Sequence, residues 1–134
     1  MEATPPIGLK HQKSVKVETS FTVPALPPVM GDFSGFPAVL ATPHLIGFVE
    51  SACIEAIKPY LTADQMTVGT HVDLHHLAAT PVGMTLTADV ELIAVTGRNL
   101  TFRIECRDEK HLIGTGTHER TLVDREKFLA RLNS

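Results

Sequence analysis

The stretch Ala41–Tyr60, ATPHLIGFVESACIEAIKPY, decides how this chain is read. Leu45, Ile46, Val49, Cys53, Ala56 and Ile57 recur at the three- and four-residue spacing of one helix face. Thr42 is a favoured N-cap residue, and Pro43 then takes the first helical position, where its missing N–H costs nothing. Pro59 ends the helix. The polar residues of this segment are few: His44, Glu50, Ser51, Glu55 and Lys58. Glu50 follows Ile46 by four residues and precedes Cys53 by three, so it lies on or beside the apolar stripe. A carboxylate there is expensive unless it is paired, which makes Glu50 the most informative acid in the sequence.

On both sides of this segment the period changes to two. Val15, Val17, Thr19, Phe21 and Val23 alternate with polar residues, predicting a half-buried strand over Ser14–Val23 after a loose arm at residues 1–13. Pro24–Pro37 reads as a long loop carrying Phe33 and Phe36, either as anchors onto the core or as cover for a pocket. After a turn at Thr62–Gln65, strands are predicted at Met66–Leu77, Met84–Thr96, Leu100–Asp108 and His111–Val123. Alternation in the first of these puts Val68, Thr70, Val72, Leu74 and His76 inward, with Gly69, His71, Asp73 and His75 on the other face. Asp124 can cap a short helix through Leu132. The expectation is α+β: one helix packed on an antiparallel sheet of about five strands, with residues 14–134 forming a single domain.

Composition narrows the function. The chain has 134 residues, net charge −3, 20% charged and 43% hydrophobic residues, which reads as globular rather than disordered and offers no basic stripe for nucleic acid. Aromatics are 5% with no Trp, which argues against base stacking. No apolar run reaches the ~18 residues of a membrane span, and MEATPPIGLKHQK has no apolar signal region. Cys53 and Cys106 are far apart, fit a reducing cytoplasm and read as small buried hydrophobes.

His71 and His75 share a strand face but stand about 13 Å apart, too far to bind one metal, so a metal site is not expected. His76 differs because it continues the inward face. Alone it reads as a satisfied core histidine. Together with an inward Glu50 it can form a carboxylate–imidazole pair. Thr42 adds a hydroxyl beside the free N–H groups of a helix start, although a plain N-cap is its simplest role. A base or nucleophile, an acid and oxyanion donors are the parts of acyl transfer. GxSxG, Walker A, GxGxxG and HExxH motifs are absent from the sequence. The small residues of GTGTH, Gly114–His118, allow another backbone or a ligand to come close.

Three stretches carry a family resemblance: FPAVLATPHLIGFVESACIEAIKPYL, VGTHVDLHHLAATPVGM and GTGTHERTLVDREKF. The chain resembles hotdog-fold thioesterases, and within them the fluoroacetyl-CoA thioesterase group, from about Val15 to Leu132. The resemblance implies a curved antiparallel sheet around one helix, an acyl-CoA substrate and no cofactor beyond the coenzyme A of that substrate. It implies homodimers with sites at the subunit interface and leaves tetramers open. It implies Thr42, Glu50 and His76 as the catalytic residues. Gly69 and Arg120 match substrate-contacting positions, and Phe33 and Phe36 an aromatic lid. Glu50 would attack the thioester or activate water, His76 would move protons, and Thr42 would orient the acyl group. Pro43, His44 and Ser51 differ from that group near the acyl pocket, so a short acyl-CoA is expected, with fluoroacetyl-CoA one candidate. The alternatives are a non-catalytic acyl-CoA binding module, and a hotdog hydratase, whose Asp-x4-His spacing is missing here.

Overall fold

The computed structural model describes residues 4–134. Five strands form one sheet: β1 (Lys10–Lys16), β2 (Gln65–His76), β3 (Thr85–Thr96), β4 (Asn99–Arg107) and β5 (Leu112–Asp124). Their order is β1-β3-β4-β5-β2, and every neighbouring pair is antiparallel. Helix α1 (Thr42–Ile57) lies against β1, β2, β3 and β4, and α2 (Arg125–Leu132) closes the described chain. β2 to β5 begin and end within one residue of their predicted bounds.

The helix is buried along the face its spacing predicts. Leu45, Val49, Ala52, Cys53, Ala56 and Ile57 are buried against the inward residues of β3 and β4, with Phe102 the largest fully buried side chain. Glu50 sits at the margin of that stripe, half-buried. Asp124 caps α2 through a hydrogen bond from the Lys127 amide, as expected.

Four expectations need correction. β1 runs from Lys10 to Lys16, so Lys10–Lys13 belong to the sheet and not to a loose arm; of the arm residues, Met1–Ala3 lie outside the described residues. Its pairing reaches back through the amide of Gly8, which donates to the Leu92 carbonyl. Beyond Val17 the chain leaves the sheet for single turns at Thr19–Phe21 and Val23–Ala25, because Phe21 packs beside the His44 ring and Pro24 starts a turn. Secondly, the register shifts between Leu92 and Ala94, so Val95 and not Ala94 packs on the core. Thirdly, a similar shift between Gly69 and His71 reverses the faces of the first half of β2. Gly69 points toward α1, while Val72, Leu74 and His76 keep their predicted side. Fourthly, the helix N-cap is Ala41, with Thr42 inside the helix and making no capping bond.

β5 meets β2 at very short range. A Cβ on Gly116 would collide with the backbone of Asp73 and Leu74. This is the close backbone approach that GTGTH predicted. Gly116→Ala is therefore expected to lower stability by roughly 1–3 kcal/mol, the range for overpacking, in denaturant unfolding. A variant as stable as the parent would contradict this register.

Candidate active site

Two polar clusters lie along the side of α1 that faces β2. The first surrounds Arg120, which is only 4% exposed. Its Nη1 donates to Glu50 Oε2 at 2.9 Å and to His118 Nε2 at 3.1 Å. Its Nε donates to Thr67 Oγ1 at 2.8 Å and its Nη2 to the Thr67 carbonyl at 3.0 Å. A buried guanidinium needs such partners, and here the fold supplies them from α1, β2 and β5. Gly69 completes the cluster by what it lacks. A Cβ there would stand 2.7 Å from Glu50 Oε2, so only glycine leaves room for the carboxylate.

Arg120 thus spends its donors inside the chain. It holds Glu50 in place. Among the described residues nothing donates to Glu50 Oε1, and the carboxylate side chain is 35% exposed. One oxygen is held and the other is open.

The second cluster joins Thr42 to His76. Thr42 Oγ1 lies 2.8 Å from His76 Nδ1. Being within the helix and not at its cap, the Thr42 hydroxyl is free for this contact. The backbone brings the two together: the Leu40 amide donates to the Thr80 carbonyl at 2.8 Å, and Val39 bridges Pro81. The AATP segment therefore ties the end of β2 to the start of α1. His76 Nε2 is buried and has no hydrogen-bond partner among the described residues. Burial pushes the His76 pKa below its ordinary 6.5, with a backbone contact at Ala78 opposing, which favours the neutral ring.

The expected Glu50–His76 pair does not form within the chain. Glu50 lies two helical turns from Thr42, about 12 Å along the axis, and the imidazole nearest to it is that of His118. The ring centroids of Phe33 and Phe36 lie 6.2 Å apart, and Phe36 is 56% exposed. His71 and His75 are exposed beside Glu119 and Asp73. Cys53 and Cys106 are buried, and burial pushes both thiols up to about 12, so neither is a nucleophile.

His118 and Thr67 were missed by sequence reasoning. His118 is fully buried, and its Nδ1 lies 2.8 Å from the His71 carbonyl. The signal was present: period-two burial along β5 places Gly114, Gly116, His118 and Arg120 on one inward phase, where an imidazole and a guanidinium need partners.

The family model described as fluoroacetyl-CoA-specific thioesterase matches residues 27–126. A fluoroacetyl-CoA thioesterase from Streptantibioticus cattleyicolor is 42% identical over 126 residues, 94% of this chain and 91% of its own. A solved fluoroacetyl-CoA thioesterase superposes with TM-score 0.94 at 37% identity, over 98% of this chain and 97% of its own. A mutant of a fluoroacetyl-CoA-specific thioesterase in complex with fluoroacetate and CoA superposes with TM-score 0.89 at 38% identity, over 92% and 99%. A hot-dog-like protein from Thermanaerovibrio acidaminovorans, 22% identical, shares the fold alone, with TM-score 0.80 over 95% of this chain and 90% of its own. The helix-on-sheet architecture is the hotdog fold.

The two buried imidazoles make stability depend on pH. His118, like His76, is held below 6.5, first by burial and then by Arg120, against its hydrogen bond to His71 and the Glu50 charge. Both bind protons less readily folded than unfolded, so their contribution is complete above pH 6.5 and is lost as pH falls through the folded pKa values. Thermal midpoints should fall between pH 6.5 and the carboxylate range near ~4. His118→Gln should flatten that slope, and an equal slope in parent and variant would speak against it.

Proposed function

Because this chain belongs to the fluoroacetyl-CoA-specific thioesterase family, and is thus a thioester hydrolase, we propose that it cleaves a small acyl-CoA with Thr42, Glu50 and His76 as its catalytic residues. Fluoroacetyl-CoA is the first candidate substrate, since the relatives carry that name and one was solved with fluoroacetate and CoA. The observation that carries the assignment of residues is the state of Glu50. One oxygen is locked by Arg120 and the other is open at a half-exposed position.

Hydrolysis forms a carbon–oxygen bond from water and breaks the carbon–sulfur bond, and the departing thiolate takes up a proton. Glu50 Oε1 either removes a proton from the attacking water or attacks the carbonyl itself, giving an anhydride that water then opens. His76, neutral at rest, accepts and returns a proton through Nδ1, by way of the Thr42 hydroxyl 2.8 Å away. Thr42 orients the acyl oxygen through its hydroxyl at the first turn of α1, where Pro43 has no amide and those of His44 and Leu45 already donate to the Ala41 carbonyl.

The complete site takes two copies of the chain. Glu50 is about 12 Å along α1 from Thr42, so one chain holds the carboxylate and the imidazole apart. β2 is a 12-residue edge strand with one side unpaired and Val72 38% exposed. Such an edge pairs readily with a second strand. A twofold axis beside β2 runs the two α1 helices in opposite directions, bringing Glu50 of one copy toward the Thr42–His76 end of the other.

Three measurements test this reading. Glu50→Gln, whose amide oxygen can still accept from the buried Arg120, should fold and release no thiol from any of a panel of short acyl-CoA esters; full activity would refute the assignment. Gly69→Ala should also fold, because the Cβ meets a flexible carboxylate, but should lose on the order of 100-fold in kcat as Glu50 is displaced. Mixing Glu50→Gln chains with His76→Ala chains should restore activity, since a mixed dimer keeps one intact site. Recovery should reach about a quarter of the parent level, the statistical share for twofold pairs. No recovery after verified exchange would place the whole site within one chain.

A further inference from the structure

We infer that His118 is a positioning residue: as a neutral imidazole fixed in one tautomer, it accepts a hydrogen bond from Arg120 and thereby aims the Glu50 carboxylate. The inference rests on the reading of Glu50 as the catalytic carboxylate. The geometry leaves the ring one arrangement. Nδ1 is 2.8 Å from the His71 carbonyl, which has only lone pairs to offer, so Nδ1 carries the proton and donates. Nε2 is then a bare lone pair, 3.1 Å from Arg120 Nη1, which can only donate. His118 is fully buried, so no water competes for either position.

The same Nη1 donates to Glu50 Oε2 at 2.9 Å. His118 and Glu50 therefore share one guanidinium nitrogen as acceptors, one from the sheet and one from the helix. His118 Nε2 is 3.8 Å from Glu50 Oε2, beyond a direct hydrogen bond, so its influence passes through Arg120. Arg120 is held on its other flank by Thr67. Removing the imidazole frees the Nη1 side alone, the side that touches the carboxylate. Protonating His118 would have the same effect, since an imidazolium has no acceptor and repels the guanidinium. Burial and the neighbouring Arg120 oppose that charge, against Glu50 and the His71 carbonyl.

The test compares His118→Leu, which removes the acceptor, with His118→Gln, whose amide can donate to His71 and accept from Arg120. His118→Leu should lose 10- to 100-fold in kcat with KM within about threefold, the pattern of a misplaced reacting group. His118→Gln should recover kcat to within about threefold of the parent. A folded Leu variant with the parent's kcat would overturn the inference. So would a folded Gln variant impaired tenfold or more, which decides the matter if the Leu variant does not fold. Independently of activity, ¹⁵N spectra of the parent's His118 ring should show a protonated Nδ1 and an unprotonated Nε2. The opposite tautomer would refute the inference even in a fully active enzyme. A parent that cleaves no acyl-CoA would refute the proposed function instead, leaving the ring spectra to decide the role of His118.

Discussion

A guanidinium sealed at the edge of the core is the constraint on which the candidate site depends. Burying Arg120 would cost several kcal/mol if its charge and donors were not met. They are met by residues from three elements: Glu50 from α1, Thr67 from β2, and His118 beside it on β5. Each requirement passes outward. Glu50 can reach Arg120 only because Gly69 has no side chain. Gly69 and Thr67 face the helix because the register of β2 slips just after them. Arg120 is thus more than one member of a site. It is the reason that a carboxylate is tolerated beside the apolar stripe of α1.

The second cluster depends on backbone geometry more than on charge. Thr42 and His76 come from the start of a helix and the end of a strand, places where chain direction changes sharply. The pairing of Val39 and Leu40 with Thr80 and Pro81 fixes both ends at once. Pro81 has no amide to donate, so this segment pairs through single bridges and never becomes a strand. A short strut of this kind holds a hydroxyl and an imidazole at 2.8 Å.

Much of this was legible in the sequence, and the exceptions have one physical character. Periodicity located α1 and four strands because burial of one face sets both. It marked Glu50 because a charge on an apolar stripe must have a partner, although it could not name Arg120. It misplaced Gly69, since a strict period of two cannot foresee an extra residue slipped into one strand. Thr42 was read as a cap because its type and position suit one; in the structure a side-chain partner 34 positions away replaces that role. His118 was overlooked because its neighbours drew attention as small residues, while its own burial phase went unused. The local rules failed where long-range contacts at the site override them.

The separation of the two clusters has a chemical consequence. A carboxylate in contact with His76 would favour its protonation and spoil it as a proton acceptor. Within the chain, Glu50 instead faces Arg120, and its charge is compensated before any ligand arrives. His76 faces a neutral hydroxyl and is kept neutral by burial. The open Glu50 oxygen and the Thr42–His76 pair are the groups hydrolysis would use. In the proposed two-copy site they converge only across the subunit boundary, with the thioester carbonyl between them. A carboxylate already bound to a guanidinium exerts a blunted pull on that imidazole, so the base and the proton carrier can be brought together without quenching each other.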